Sequence, residues 1–528
     1  MNAGSGLPRF EPRPLADPGS LAGSILSGAP PTRGLLPGPG PDGAASAGGR
    51  SGRLPASAFR VTTSAAAERL DRVLAGEGVL VTTGQQPVLF LGPLYVLYKA
   101  LTAVAHAKRI EAATGRPALA AFWVAADDHD WEEVASARAV DPGGTVRTLA
   151  LDPPPGRAGR AVGPTPLPPE VEGLRDEYAE LLGRTEYVGQ ALRPLREAYR
   201  PGTSFADAFA AALAELLAGH PIVLLDASRT DVKRASVPLL RRCLEDAAGC
   251  ADAFARGTAR VSAAGHEPRL HPPTGGTQLF HERERREHLV RDEEGLVGPR
   301  GGPFEPVSAW LERLDAEPGR FSAGAALRPV LESWLLPVAR TVLGPGEIEY
   351  WAQLPLLFER LGVAVPEVAP RASWRLVEPR VDRWLGRIGA GATELADGGA
   401  AVVNRIVAER RPKSVEAALE NLREAMERGF DGLEEEAADE LPGLRSAVGK
   451  ARKGAFDAVA GLETTIDARV RERQEILVSQ AGRAAALLYP GGRPQERVVG
   501  PWPFLARYGP SFLPALAAAH GLAAEPEP

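Results

Sequence analysis

The period of apolar and polar positions changes several times along the chain, and each change marks an element. Thr63 to Leu74 carries Ala66, Leu70, Val73 and Leu74 at helical spacing. Val79-Leu-Val-Thr-Thr83 then reads as a strand, Gly84-Gln-Gln-Pro87 as a tight loop and Gly92 to Ile110 as an amphipathic helix. After Gly115-Arg-Pro117 a second apolar strand, Ala118 to Ala126, runs into Asp127-Asp128-His129-Asp130. Strand, helix and strand in that order predict a βαβ unit, with both loops at the rim where parallel sheets bind ligands.

Further on, Thr203 to Leu217 predicts a helix opening on a Thr/Ser cap ahead of Phe205, Phe209, Leu213 and Leu216. Pro221 to Asp226 is a short, continuous apolar run of the kind found in buried parallel strands, and it ends in Asp226-Ala-Ser228. Val232 to Cys243 returns to helix. Thr277–His281 and Glu287–Val290 flank the charged stretch Glu282 to Arg286 and predict a solvated hairpin. Leu327 to Val342 is a helix or strand leading to Gly344-Pro-Gly-Glu347, after which Tyr350 and Gln353 fall three apart on one helical face.

From about Pro412 to Leu488 the chain is dense in Ala, Glu, Arg and Leu. Leu444, Val448, Ala451, Ala455, Val459, Leu462, Ile466 and Val470 repeat over eleven residues, which predicts a nearly straight or slightly right-handed coil. Two long antiparallel helices with an apolar stripe suit dimerisation. The expected organisation is therefore a Gly/Pro-rich segment at 1–54, mostly loop or disorder with a short helix near Ser20 to Leu26. An α/β core follows at 55–400 with insertions at about 141–200 and 245–320, then a helical hairpin at 401–490 and a tail at 491–528 that packs back on the core.

Composition narrows the function. At 528 residues, 44% hydrophobic and 24% charged, the chain has the balance of a soluble globular protein of two or three domains. A net charge of −6 with interspersed signs offers neither a basic stripe for nucleic acid nor a polybasic patch for lipid. No apolar run is long enough for a bilayer, and the N-terminus lacks a signal layout, so a cytoplasmic protein is expected. Cys243 and Cys250, the only cysteines, lie outside any C-x-x-C arrangement; buried thiols are expected, and no zinc-thiolate site.

The chemistry concentrates on the polar turns. Gly84, Gln85 and Gln86 ahead of a helix, with Lys99, suit an anion. Asp127, Asp128, His129 and Asp130 suit an ammonium, a proton transfer or a magnesium ion. In this reading His129 is a general base or substrate ligand, with Asp128 or Asp130 setting its tautomer. Asp226 and Ser228 are expected on the same rim, and Glu347, Tyr350 and Gln353 suit sugar or ribose hydroxyls.

Val81-Thr-Thr-Gly-Gln-Gln-Pro87, Gly92-Pro-Leu-Tyr95 with Lys99, and Phe122-Trp-Val-Ala-Ala-Asp-Asp-His-Asp130 together resemble the cysteine-adding enzyme family of bacillithiol biosynthesis. Phe205-Ala-Asp-Ala-Phe209, Leu224-Leu-Asp-Ala-Ser228, Gly344-Pro-Gly-Glu347 with Tyr350, and Leu488-Tyr-Pro490 with Gln495-Glu-Arg497 extend the resemblance from about Thr62 to the C-terminus. It implies a Rossmann-type core related to class I aminoacyl-tRNA synthetases, with connecting-peptide insertions and a dimerising coiled coil. It further implies a ligase joining L-cysteine to glucosaminyl-malate in the last step of bacillithiol synthesis, with ATP or ADP bound. On the matched motifs, Tyr95 and Trp123 join Gln85, Gln86, Asp226, Ser228, Tyr350 and Gln353 as substrate-binding candidates. Gly84, Lys99, Gly344, Gly346 and Glu347 are the nucleotide candidates. The residues alone also permit a nucleotidyltransferase or other Rossmann enzyme acting on a different small molecule, or a non-catalytic pathway scaffold.

Overall fold

The computed structural model describes residues 6–41, 53–141, 143–157, 159–271, 275–440 and 443–522. Its centre is a six-stranded sheet built from β1 (Phe59–Val61), β2 (Val79–Gln85), β3 (Ala118–Val124), β4 (Ile222–Asp226), β5 (Val338–Leu343) and β6 (Glu367–Pro370). The strand order is β6-β5-β2-β3-β4-β1, parallel throughout except for the edge strand β1, which runs antiparallel to β4. Because β3 and β4 extend the sheet to one side of β2 and β5 and β6 to the other, strand order reverses between β2 and β5. In open α/β sheets that reversal is where the crevice for a ligand forms.

Alternation along each strand feeds two cores. Val79, Val81, Ala120, Phe122 and Val124 face helix α2 (Tyr95–Thr114) and the helix Phe205–Leu216. Leu80, Leu119, Ala121, Trp123, Val223 and Leu225 face the opposite way. There they meet α1 (Ser64–Leu74), the helix Thr230–Glu245 and a short helix, Arg328–Leu335. Thr63 and Ser204 cap their helices through side-chain oxygens, as the sequence anticipates. The ambiguous stretch after Leu327 resolves into both alternatives, a helix followed by strand β5, because a parallel strand needs a helical crossover to enter the sheet.

The hairpin expected around Glu282 to Arg286 forms from Gly276–Glu282 and Arg286–Arg291. It is the middle of a four-stranded antiparallel sheet completed by Val297–Pro299 and Phe321–Ala323. Of the N-terminal segment, Ser20 caps the helix Leu21–Leu26, and Arg9–Pro12 forms a strand against Trp374–Val377 that periodicity did not reveal. The turn expected at Leu441-Pro442 lies outside the described residues.

The long helices Lys413–Glu440 and Arg445–Arg473 are antiparallel, cross-linked by Arg411–Asp467, Arg423–Glu463 and Arg452–Asp431. Of the expected repeat, Val448, Val459 and Val470, eleven apart, are buried in the seam, whereas Leu444, Ala451 and Leu462 stay exposed. Beyond the hairpin the chain returns to the core, where Trp502 is buried and donates its indole N–H to the Phe90 carbonyl. Among the described residues no helix is long and apolar enough to cross a membrane.

Candidate functional site

Strand ends β2, β3 and β5 surround a cleft of about 510 Å³ at the reversal point. Gly84, the first expected loop residue, is still strand: it pairs with Trp123, and a Cβ there would stand 2.8 Å from the Trp123 carbonyl oxygen. The glycine therefore serves close strand approach rather than a turn. At the start of α2, the N–H groups of Leu94 and Val96 are taken by the Val499 and Pro93 carbonyls at 2.8 and 3.1 Å.

Gln86 and Asp128 join the first two strand ends, Gln86 Nε2 donating to Asp128 Oδ2 at 2.7 Å. Asp128 Oδ1 accepts the His129 backbone N–H at 2.8 Å. Burial opposes ionisation of Asp128, yet the His129 contacts and the nearby Arg286 guanidinium hold its carboxyl well below the usual range. His129 Nδ1 lies 3.2 Å from Arg286 Nη1 and 3.4 Å from Asp128 Oδ1. His129 Nδ1 thus stands between a donor and an acceptor: it accepts from Arg286 when the ring proton is on Nε2 and donates to Asp128 when the proton is on Nδ1.

Asp127 pairs with the buried Lys233 at 2.7 Å, and Lys233 also donates to the Phe321 carbonyl. Lys99 is 2% exposed, far from the surface lysine its sequence equally allowed. Its ammonium lies 2.6 Å from Glu347 Oε2, donates to the Gly84 carbonyl at 2.7 Å and reaches Gln85 Oε1 at 3.1 Å. Burial pulls its pKa below the ordinary lysine value, with Glu347 opposing. The same Glu347 oxygen accepts the Gly344 N–H at 2.8 Å, which closes the turn ahead of the helix Pro345–Trp351. Above it Tyr95, its phenol pushed up to about 12 by burial, faces the Arg371 guanidinium across 5.4 Å.

The three expected turns thus converge. Gly84, Gln85, Gln86, Tyr95 and Lys99 line the cleft, as do Trp123, Asp127, Asp128 and His129 from the second strand and Gly344, Gly346, Glu347 and Tyr350 from the third. Four candidates do not line it. Asp130 caps the short helix Trp131–Val134 by accepting the Glu133 N–H. Asp226 folds onto Ser228, taking both its N–H and its hydroxyl, and leaves Ala227 as the residue facing the cleft. Gln353 lies two residues past the helix end, fully buried, bonded to Leu270 and Thr258. It anchors a loop because the helix stops at Trp351, so the three-residue spacing from Tyr350 is not helical.

The structure adds Arg286, Lys233, Arg371, Arg328 and Glu332. Arg286 was read as part of a solvated hairpin, but its side chain is 7% exposed and lies over the Phe280 ring at 3.8 Å. Arg328 and Glu332 carried a usable signal, two charges four apart within an apolar helical run. The carboxylates of Asp127 and Asp128 are already engaged, and no group of three or more metal-ligating side chains occurs among the described residues.

Residues 55–372 match the domain described as "Bacillithiol biosynthesis BshC, N-terminal Rossmann-like domain", and residues 375–521 match its C-terminal coiled-coil domain. The chain belongs to the BshC family. Among its relatives, a Koribacter versatilis protein is 31% identical over 452 residues, covering 84% of this chain and 82% of the relative. One from Salinibacter ruber is 30% identical over 443 residues, 83% of this chain and 80% of the relative. Both carry the name "Putative cysteine ligase BshC". For this BshC protein the Rossmann-like assignment agrees with the parallel sheet, and the coiled-coil assignment with the antiparallel helices.

Proposed function

We propose that this protein is a carbon–nitrogen ligase that joins the carboxylate of L-cysteine to the amine of glucosaminyl-malate, the last step of bacillithiol synthesis, in the cytoplasm. The observation that carries the reading is the convergence of Gln86, Asp128 and His129 with Lys99–Glu347 in one cleft at the point of strand reversal. Family membership gives the reaction class, and the relationship to class I aminoacyl-tRNA synthetases is part of the same proposal.

Arg371 and Arg497, with the open side of Gly346, suit the phosphates of ATP or ADP. When bound, ATP supplies the activation that an amide bond requires. A magnesium ion on the phosphates would find Asp127 Oδ2 as the open carboxylate oxygen of this pair, since Lys233 holds Asp127 Oδ1 and Gln86 and the His129 N–H each hold one oxygen of Asp128. Asp128, kept ionised and oriented by Gln86, accepts a hydrogen bond from the acceptor amine, and the His129 ring, which lines the cleft, hydrogen-bonds an oxygen of the sugar. Dimerisation through the coiled coil completes the proposal. It is supported by Leu422, Leu433 and Leu462, which stay 41%, 48% and 47% exposed on the hairpin.

Incubating the purified protein with L-cysteine, glucosaminyl-malate and ATP tests the reading, with the condensed thiol followed by mass spectrometry. Accumulation of the amide with nucleotide consumption is the expected result. Absence of the amide, together with an unchanged thiol pool after gene deletion, overturns it and favours a different small-molecule transferase or a scaffold.

A further inference from the structure

On one side the cleft is walled by the helix Arg328–Leu335, a lobe lying on the sheet face away from α2. Val330, Leu331 and Leu335 seat that helix against Leu80 and Trp123. Its polar positions, Arg328 and Glu332, line the cleft together with Thr341, which pairs in register with Thr82. Three other buried cations around the cleft have opposite partners: Lys99 has Glu347, Lys233 has Asp127, and Arg371 has Glu496 at 2.8 Å. Arg328 and Glu332 differ. Among the described residues no carboxylate lies within ion-pair distance of Arg328 and no Lys or Arg within that distance of Glu332. Arg328 is oriented instead by a 3.1 Å hydrogen bond to the Tyr350 hydroxyl.

One further polar atom here lacks a partner: Trp123, 3% exposed and lining the cleft, keeps an indole N–H unpaired among the described residues, while the buried Thr82 hydroxyl stands against the Glu332 carboxyl. Buried groups left unpaired are costly and call for a partner from outside the chain. A positive and a negative side chain one helical turn apart, not bonded to each other, match a molecule that carries both charges on neighbouring atoms. A phosphate is disfavoured because it would face Glu332. Leu331, Leu343 and Trp351 add apolar walls suited to a short side chain.

We propose that Arg328 and Glu332 form a subsite for a small zwitterionic α-amino acid, Arg328 holding its carboxylate and Glu332 its ammonium. The inference rests on the ligase reading and assigns the cysteine to this lobe, leaving Asp128 and His129 for the acceptor amine. Burial pushes the Glu332 carboxyl up to about 7, with Arg328 and the Thr82 hydroxyl opposing, and an arriving ammonium relieves that penalty.

Calorimetric titration of the full-length protein separates the possibilities, using L-cysteine, L-serine, cysteine methyl ester (no carboxylate) and 3-mercaptopropionate (no ammonium). The wild type is expected to prefer cysteine to either analogue by tenfold or more. Glu332→Gln should lose the preference over 3-mercaptopropionate and keep that over the ester, and Arg328→Gln should do the reverse. Tyr350→Phe, expected to weaken only the carboxylate preference by three- to tenfold, serves if Arg328→Gln does not fold. Variants that keep both wild-type preferences overturn the subsite while leaving the ligase reading intact if turnover persists. The same crossed pattern for serine, without cysteine binding, supports the subsite and removes cysteine as substrate. No amino-acid binding by the wild type overturns both.

Discussion

Lys99 and Glu347 meet at 2.6 Å across the gap between β2 and β5, tying the helix that follows one strand to the turn that follows the other. The ammonium is sealed from solvent and also holds the Gly84 carbonyl, so the pair spans the point where strand order reverses. Removing one member leaves a buried charge alone. Glu347→Ala is expected to cost about 3 kcal/mol in urea unfolding. The double change Lys99→Met with Glu347→Gln should recover part of that loss, and a single-variant cost near zero would show that the pair does not brace the rim.

Asp128→Asn keeps the shape but removes the charge facing His129 and Arg286. Amide formation is expected to fall by at least about 100-fold, with the melting temperature within a few degrees of wild type. Gln86→Leu, which frees one carboxylate oxygen, should lower turnover less. Near-normal turnover in Asp128→Asn would remove this carboxylate from the chemistry.

Glu332 predicts a pH-dependent stability difference. Its folded value, raised to about 7 from 4.5, means that its contribution is intact below pH 4.5 and is lost as pH climbs through 7. Glu332→Gln lacks that loss, so the variant should match wild type near pH 4.5 and exceed it by on the order of 2 kcal/mol at pH 8. Denaturation midpoints measured at both pH values check the sign, and a constant difference would contradict it.

Gly84→Ala places a methyl group against the Trp123 carbonyl, which belongs to the neighbouring strand and has little room to yield. A destabilisation of about 1–3 kcal/mol is expected from thermal melts. Gly346→Ala, with open space around its Cβ, is the control that should melt like wild type.

Replacing Leu422 and Leu462 together with Glu should convert the proposed dimer to a monomer without melting the hairpin, whose seam valines remain in place. Light scattering coupled to gel filtration reads the mass, with helicity from circular dichroism as the control. An unchanged mass would place the self-association surface elsewhere or show the chain to be monomeric.

The sequence by itself determined the elements whose chemistry is local. The strands at Val79 and Ala118 and the caps at Thr63 and Ser204 follow from periodicity and short-range hydrogen bonding, as does the valine seam at 448, 459 and 470. It also located the three polar turns, because glycines, carboxamides and clustered acids at strand ends stand out from apolar runs. Tertiary structure alone decided which of those groups face the cleft. Asp130 and Asp226 went to neighbouring backbone N–H groups, which claim such side chains first, and Gln353 to a loop 83 residues away that only the fold brings near. Arg286 and Lys233 entered from segments more than a hundred residues away from the Asp127–Asp128 loop they neutralise. A charge pair depends on distance in space, and spacing along a chain carries no record of it.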